Sequence, residues 1–376
     1  MKKVLMVATY GDFFAAFETN NIKILNDMGY EVHLCANWTE QKYNYKHEKL
    51  KGLNYKKINI EFNRTPFAIS NIVKYFQLSK LLSEENYVLV DCHNAVVGAY
   101  ARLAAKKNNI SKIMYTAHGF QFHKGGRIID WLIYYPVEFI LAKITDELVV
   151  INKEDYNIAK DMHAGNVNLI PGVGVNSKKK LDLSMTEIEN KKKELGLPSN
   201  SFIILSVGEL SKRKNHKVII KALAKIENQN IYYLIAGQGK MYNSLSKYAS
   251  KIGQKDHLKL LGHRSDIPEL NAISNIAAFP SKREGLGIAG LESLSFGLPL
   301  ISSNVQGIPD YSIHGVTGFV SHPNDYKLFS KYIEVLYEDE DLRLKLKVNS
   351  KRIVKRFDVS VVNQKMKQIY ENLLGV

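Results

Sequence analysis

Short apolar runs alternate with segments of helical periodicity along the whole chain, and this alternation limits the possible folds more than any other feature. Strands that alternate with helices form βαβ units and therefore parallel sheets. In the first half the runs are 4–8, 32–36, 56–60, 87–92, 112–116, 147–151 and 167–170. In the second half they are 202–207, 231–236, 258–261, 276–279, 300–303 and 318–320. The sequence therefore predicts an α/β protein.

The alternation is interrupted once, which predicts a domain boundary. A proline- and glycine-rich segment at 171–174 is followed by a polar, lysine-rich stretch at 176–193. Because 376 residues suffice for two or three domains, we expect two Rossmann-like domains that face each other across a cleft. The first is expected at 1–175 and the second at 176–357. The last helical segment, about 358–376, is expected to pack back on the first domain.

Composition narrows the class of protein. Apolar residues make up 45% of the chain and charged residues 24%, which is usual for a globular protein and not for a disordered one. Only Cys35 and Cys92 are present, so we expect a reducing, cytoplasmic environment and no disulfide framework. The apolar run after Met1 is too short for a signal peptide, and the apolar stretch 131–144 is too short to cross a bilayer.

The net charge of +15 predicts an anionic partner. The first 176 residues carry 21 basic and 17 acidic residues, and the other 200 carry 31 and 20. Nucleic acid, anionic lipid headgroups and a phosphorylated substrate all fit such a charge. The lysines are not interleaved with stacking aromatic residues on a recognisable nucleic-acid module, so we expect no nucleic acid.

The segment 279–292 carries the strongest chemical signal. A predicted buried strand leads into a glycine-containing loop, and a helix is expected to begin near Gly287. The free N–H groups of a helix N-terminus bind phosphate oxygens. Glu284 lies just before these donors and Glu292 lies in the helix, and carboxylates suit the hydroxyl groups of a sugar. The alternative is an ordinary helix N-terminus with an acidic first turn.

Other candidates are weaker. His118 follows the run 112–116 and opens a glycine-flanked loop, although a lone histidine is more often structural. Gly237 follows the run 231–236, where a nucleotide pocket and a bare turn are both possible. Histidine and cysteine residues lack the spacing of a zinc site, and the acidic triplet 339–341 lies in a charged stretch, so no metal ligand is expected.

Several motifs together resemble a known family. Glu284 and Glu292 form an E-x7-E pattern within Glu-Gly-Leu-Gly, which is similar to that of the family 4 retaining glycosyltransferases with the GT-B fold. The segment 262–270 resembles the one before that motif in bacterial capsule and exopolysaccharide members. Further segments that resemble the family are 116–120, 151–155, 170–175, 297–301, 307–310 and 315–318.

The resemblance implies a function and a set of site residues. Glu284 would bind hydroxyls of the donor sugar, Glu292 the nucleotide ribose and Lys214 the diphosphate, with His118 beside the sugar. The catalytic residues would be His118, Glu284 and Lys214. The donor site would comprise Gly11, Gly208, Arg213, Lys214, Gly237, Arg264, Glu284, Gly285, Leu286, Gly287, Ile288 and Glu292. The reaction would move a hexosyl or N-acetylhexosaminyl group from a nucleotide-sugar, with UDP as the commonest nucleotide, and would need neither metal nor cofactor.

Two departures from the family pattern leave alternatives open. Glu209 stands where the family usually has arginine, so either Glu209 points away from the diphosphate or Arg213 supplies the missing charge. Only Gly11 stands in the first loop, where the family often has paired glycines. The alternatives are a weak or inactive homologue that acts as a binding partner, and a sugar-nucleotide epimerase of the same fold.

The resemblance also implies an acceptor, a lipid-linked or other saccharide used in bacterial surface polysaccharide biosynthesis. The segment 64–82 places Phe67, Ile72, Phe76 and Leu82 among basic residues. Such a helix either rests on an anionic membrane or packs in the core, with equal weight for each. For 131–144 the core is preferred. We therefore expect a cytoplasmic protein in peripheral contact with the inner face of the cell membrane.

Overall fold

The computed structural model describes residues 1–43, 47–66, 68–178, 181–227 and 230–376. They divide into two compact units. The first unit comprises Met1–Gly174 together with Val359–Val376, and the second comprises Val175–Asp358. Each of the thirteen predicted strands is present, with ends that differ from the predicted ones by at most two residues.

The first unit is built on a seven-stranded parallel sheet. Its strands are β1 (Lys3–Tyr10), β2 (Glu31–Asn37), β3 (Tyr55–Asn59), β4 (Tyr87–His93), β5 (Lys112–Ala117), β6 (Glu147–Val150) and β7 (Asn166–Leu169), in the order β3-β2-β1-β4-β5-β6-β7. Its helices include α1 (Gly11–Phe13), α2 (Thr19–Asp27), α3 (Ser70–Glu84), α4 (Ala95–Lys107), α5 (Ile128–Ala142) and α6 (Lys153–Ala159). A π-helical turn, Phe14–Glu18, joins α1 to α2.

The second unit is built on a six-stranded parallel sheet. Its strands are β8 (Phe202–Val207), β9 (Ile231–Ala236), β10 (Leu258–Gly262), β11 (Ile276–Phe279), β12 (Leu300–Ser303) and β13 (Gly318–Ser321), in the order β10-β9-β8-β11-β12-β13. The helices are α7 (Met185–Glu194), α8 (His216–Leu223), α9 (Tyr242–Lys251), α10 (Ile267–Ile273), α11 (Ile288–Ser295), α12 (Tyr326–Glu338) and α13 (Glu340–Val354).

The terminal helix α14 (Val359–Leu374) belongs to the first unit, as the sequence predicted. It packs against α2 and buries Met366, Ile369, Tyr370 and Leu373. Within the second unit, the first residue lies beside the last ones, since Val175 donates its N–H to the carbonyl of Phe357.

Each sheet has one point where the strand order reverses, and these points locate the sites. In the first unit β1 lies between β2 and β4, and in the second unit β8 lies between β9 and β11. Chain segments that leave neighbouring strands in opposite directions open a crevice at their carboxyl ends, which is where open α/β sheets bind ligands. The loops after β1, β4, β8 and β11 therefore border these crevices.

The preference for the core at 131–144 was only half right. Trp131 and Phe139 on α5 pack against the core of the first unit. The opposite face of α5 is open to solvent, with Ile128 77%, Leu132 67% and Ile140 64% exposed. Apolar residues therefore occupy both faces of this helix, and only one face has a partner among the described residues.

The segment 64–82 is also divided between core and surface. Leu78 and Leu82 on α3 are buried, whereas Ile72 and Phe76 are 50% and 58% exposed. Phe67 lies outside the described residues. Within the part of the chain that the structure describes, we find no helix with both the length and the apolar character that a membrane span requires.

Candidate functional site

The loop after β11 leads into α11 through a glycine that no other residue could replace easily. Gly287 has φ +89° and directly precedes the helix, which begins at Ile288. A Cβ atom at Gly287 would lie 2.6 Å from the Phe279 ring. This conformation turns the chain sharply into the helix, whose first N–H groups have no acceptor within the helix itself. The predicted helix start near Gly287 is confirmed.

Glu284, in the same loop, joins two cations from the loop after β8. Lys214 Nζ and Arg213 Nη1 each lie 2.8 Å from the same carboxylate oxygen of Glu284, Oε2. The side chains of Lys214 and Glu284 are 11% and 13% exposed, and that of Arg213 is 36% exposed. Burial would raise the pKa of Glu284, but the charges of Lys214 and Arg213 outweigh it and hold this pKa below its usual value.

Further contacts fix the two loops relative to each other. The N–H of Lys282 donates to the carbonyl of Arg213 at 2.8 Å, and Arg213 Nη1 donates to the carbonyl of Arg283 at 3.1 Å. Lys214 Nζ also lies 4.6 Å from the centre of the Phe279 ring. Because backbone and side-chain contacts both join the loops, the two cations and the carboxylate have defined positions before any ligand binds.

Two predicted glycines shape this crevice through close packing. A Cβ atom at Gly237 would lie 1.9 Å from the carbonyl oxygen of Gly208. Gly208 has φ +152°, and the stem of Lys214 lies against it. The glycines thus let β8 and β9 end close together and leave room for Lys214. Glu209 is exposed and forms no ion pair among the described residues, whereas Arg213 points to Glu284.

The other predicted donor-site residues are placed as follows. Gly285 and Leu286 lie in the Glu284 loop, Leu286 being buried, and Glu292 lies in the second turn of α11, half-buried. Arg264 is engaged elsewhere, because its guanidinium contacts Asp266 at 2.7 Å and Glu194 at 2.8 Å. The structure thus brings Glu284, Arg213 and Lys214 together with the start of α11. Arg264 belongs to a separate ion-pair network with Asp266 and Glu194.

In the first unit, His118 follows β5 directly and contacts two buried residues. His118 Nε2 lies 3.3 Å from His93 Nδ1, at the end of β4, and 3.5 Å from Glu18 Oε1, at the end of the π-helical turn. Glu18 Oε1 lies 3.7 Å from the same nitrogen of His93. The side chains of His93 and Glu18 are 0% and 1% exposed and that of His118 is 19% exposed, beside a small cavity. Ligand atoms of the three residues lie within 4.8 Å of one another, so of the described residues these could hold a metal ion.

Burial sets the protonation of this cluster. It lowers the pKa of His118 to about 4 and that of His93 well below its usual value, so both rings are neutral at pH 7. Burial also raises the pKa of Glu18 well above its usual range, with a further rise from the charge of Asp91.

The sequence analysis named His118 as a candidate and did not name His93 or Glu18, which lie against it. His93 ends the strand beside β1, so the rule that pointed to His118 also pointed to it once the strand order was known. Glu18 gave no such signal, because a helical segment does not reveal a π-helical turn.

Gly11, a predicted donor-site residue, starts α1 in the same unit. A Cβ atom there would lie 2.3 Å from the Trp38 ring, so close packing alone requires a glycine.

Two family models match the chain. The model described as "Glycosyl transferases group 1" matches residues 187–353, which includes the Glu284 loop, Lys214 and α11. The model described as "Glycosyl transferase 4-like" matches residues 3–152, which includes Glu18, His93 and His118. The two crevices described above thus lie one in each matched region.

Whole-chain comparisons agree with the models. EpsD of Bacillus subtilis (strain 168), a protein assigned by name to the glycosyltransferases, is 34% identical over 98% of this chain and 96% of its own length. An Escherichia coli UDP-Gal:alpha-D-GlcNAc-diphosphoundecaprenol alpha-1,3-galactosyltransferase is 31% identical over 81% of each chain. Among solved structures, Anabaena HepE in complex with UDP and glucose covers 100% of both chains with a TM-score of 0.79 at 19% identity.

Proposed function

Because this chain belongs to the group 1, family 4-like glycosyltransferases and has the GT-B fold, we propose that it is a retaining enzyme that uses a UDP-sugar. The group transferred is a hexosyl or N-acetylhexosaminyl residue. The acceptor is a hydroxyl of a lipid-linked saccharide in bacterial surface polysaccharide biosynthesis. The names of the E. coli galactosyltransferase and of the UDP-bound HepE structure support the choice of nucleotide, and the former also supports the acceptor.

The observation that carries the proposal is the pair of cations held by one carboxylate. Lys214 and Arg213 both contact Glu284 Oε2 at 2.8 Å, so the three groups carry a net positive charge at the entry to α11. A diphosphate can accept hydrogen bonds from both cations and from the helix N-terminus. Glu284 then faces the sugar hydroxyls, and Glu292 on α11 binds the ribose.

This arrangement suits the departure of a nucleoside diphosphate. The bond between the sugar C1 and the diphosphate oxygen breaks while the acceptor oxygen bonds to C1 on the same face. The proton of the acceptor hydroxyl passes to the departing phosphate oxygen. Negative charge grows on that diphosphate, and preorganised cations and N–H groups stabilise it. Lys214, Arg213 and the N–H groups at the start of α11 can stabilise the leaving diphosphate by themselves, so neither metal nor cofactor is proposed. Glu284 does not act as a glycosidase nucleophile.

We place His118 beside the donor sugar, as the family resemblance implies. It lies at the end of β5 with 19% of its side chain exposed, next to β4 and the point where the strand order reverses. A neutral imidazole can donate or accept a hydrogen bond there. Its role is to orient a sugar hydroxyl.

Peripheral contact with an anionic membrane completes the proposal. α4 packs against both α3 and α5, so these helices cover one face of the first sheet. These helices also carry exposed apolar residues and exposed basic ones, including Arg127, 78% exposed and paired with Asp130, and Lys80, 75% exposed and paired with Glu84. Apolar side chains that enter the headgroup region and cations that meet anionic lipids together bind a protein to a bilayer surface.

Donor binding can be tested before any acceptor is known. A panel of nucleotide-sugars is screened for a rise in melting temperature, because at equal concentration a tighter ligand stabilises the folded state more. We expect UDP-sugars to give the largest rise. Release of UDP is then measured with and without an undecaprenyl-diphosphate-linked sugar, and NMR of the product establishes the anomeric configuration.

The variants Lys214→Ala and Glu284→Ala are expected to lower transfer at least about a hundredfold while the chain stays folded, since each removes a preorganised group. Lys212→Ala is the matched control, because Lys212 is exposed on the same loop and should retain activity. Wild-type turnover in Lys214→Ala or Glu284→Ala would refute these roles. Conversion of the donor sugar without acceptor would indicate an epimerase instead.

A further inference from the structure

Two buried residues of the first unit, Glu18 and His93, have no part in the donor contacts described above. Both are sealed from solvent, and both face the inner side of His118. Burying ionisable groups costs free energy unless they pair with one another. Glu18 and His93 therefore need a partner, and His118 is the residue that both contact.

Their contacts meet at one atom. His118 Nε2 lies 3.3 Å from His93 Nδ1 and 3.5 Å from Glu18 Oε1. A neutral imidazole carries one proton, and the hydrogen bond at one nitrogen decides which nitrogen holds it. The groups at Nε2 therefore also decide whether the remaining ring nitrogen of His118 donates or accepts.

Other residues lie against this pair. Asn21 donates to Glu18 Oε2 at 2.6 Å. Asp91 Oδ1 lies 3.5 Å from His93 Nε2 without a hydrogen bond between them, and the hydroxyl of Tyr370 donates to the other oxygen of Asp91 at 2.8 Å. The cluster thus draws on the π-helical turn, on β4 and on α14, and each of these elements is fixed by its own packing.

We propose that Glu18 and His93 are positioning residues for His118, which they hold in one ring orientation and one tautomer. The other ring nitrogen of His118, Nδ1, then always offers the same hydrogen-bonding group to the sugar. Neither Glu18 nor His93 touches the substrate. The inference rests on the proposed place of His118 beside the donor sugar.

Matched variants of His93 separate positioning from simple packing. An asparagine amide reaches about the place of a histidine Nδ1, so His93→Asn keeps a hydrogen-bonding group at His118, whereas His93→Leu removes it. We expect His93→Leu to lower kcat at least about tenfold with the donor KM changed less than about threefold, since only orientation is lost. His93→Asn should regain most of kcat. Glu18→Leu and Glu18→Gln should behave as a second such pair.

A spectroscopic measurement tests the inference without activity. In protein labelled with ¹⁵N-histidine, the imidazole shifts report the tautomer of each ring, and the His118→Gln spectrum identifies the signals of His118. We expect one tautomer in the wild type and a mixture in His93→Leu. If the wild type transfers no sugar, the proposed function fails, but these spectra still test whether Glu18 and His93 fix His118.

His33→Leu is the control for loss of a buried histidine. His33 lies on β2 of the same sheet, is 1% exposed and bonds Tyr87 through Nδ1 at 2.6 Å. We expect its loss to lower the melting temperature with little change in kcat. The proposal is overturned if kcat and the His118 shifts are unchanged in His93→Leu, or if His33→Leu lowers kcat equally. Zinc that survives a chelator in the wild type and is lost in His93→Leu would also overturn it, because the cluster would then bind metal.

Discussion

Two buried carboxylates, Glu284 and Asp91, have pKa values shifted in opposite directions because their neighbours differ. Glu284 in the second unit stays ionised because Lys214 and Arg213 meet one of its oxygens. Asp91 in the first unit is fully buried, and among the described residues its neighbours are His93 and Tyr370 rather than a lysine or arginine. Burial raises the pKa of Asp91 to about 7, although the Tyr370 hydrogen bond opposes the rise.

The raised pKa of Asp91 predicts a pH dependence of stability. The unfolded chain ionises this group near its ordinary value of 3.8 and the folded chain only near 7, so wild-type stability falls as the pH rises through that window. Asp91→Asn keeps an acceptor for Tyr370 but cannot ionise. We expect its melting temperature relative to wild type to rise by about 3 °C or more between pH 4 and pH 8.

Thermal unfolding of both proteins across that range provides the measurement. Asp27→Asn is the control, because Asp27 lies on the exposed side of α2 with 63% of its side chain accessible, and a flat difference is expected there. A difference between Asp91→Asn and wild type that does not change with pH would contradict the assignment.

At the residue scale, the apolar run 276–279 alone located the loop that carries Glu284, because buried parallel strands form such runs. Lys214 is identified only through the resemblance to the family 4 glycosyltransferases. The contact of Glu18 with His93 and His118 could not be predicted, because three segments far apart in sequence meet only through the strand order. The ion pairs of Arg264 with Asp266 and Glu194 could not be predicted either, because they depend on where α7 and α10 pack.

At the scale of elements, α5 shows the limit of apolar periodicity. A helix that is apolar all round is expected in a core, and the core is the position predicted for 131–144. In the structure α4 packs against both α3 and α5. Arg102 of α4 donates to the carboxylate of Glu138 on the buried face of α5 at 2.7 Å. Nothing in its sequence indicates that no other element among the described residues packs on its outer face.

The exposed faces of α3 and α5 predict binding to anionic vesicles. We expect wild-type protein to co-sediment with vesicles that contain phosphatidylglycerol and far less with pure phosphatidylcholine. A variant of α5 with Ile128→Ser, Leu132→Ser and Ile140→Ser should bind at least about tenfold more weakly, because each exposed apolar side chain contributes roughly 1 kcal/mol when it enters the bilayer. An α3 variant with Ile72→Ser and Phe76→Ser should lose binding in the same direction.

The second unit supplies the control for these variants. Leu344 and Val348 on α13 are 53% and 69% exposed, so serine at both removes similar apolar area from a surface with no proposed lipid contact. This double variant should bind vesicles as the wild type does. If it loses as much binding as the α5 variant, or if the α3 and α5 variants lose none, the membrane surface is wrongly placed.

At the scale of the whole molecule, the first unit contains both the first and the last residues of the sequence. Residues 1–174 supply the seven strands, but α14 arrives only after the second unit has been made. The first unit carries a net charge of +5 and the second +10, so the more basic unit is the one with the proposed diphosphate contacts. The opposite ends of the sequence are thus joined in one core, and the stability of the first unit should depend on its final helix.

Deletion of residues 359–376 tests that dependence. α14 buries Val362, Met366, Ile369, Tyr370 and Leu373, and burying each such side chain contributes about 1.5–3 kcal/mol, so their loss exceeds about 7 kcal/mol and rivals the whole stability of a domain. Limited proteolysis followed by mass spectrometry should therefore show rapid cleavage within 1–174 and survival of a fragment near 175–358. Tyr370→Phe, which removes only the bond to Asp91, should cost about 1 kcal/mol and leave both units resistant. Equal resistance of 1–174 in the deletion and the wild type would mean that the first unit folds without α14.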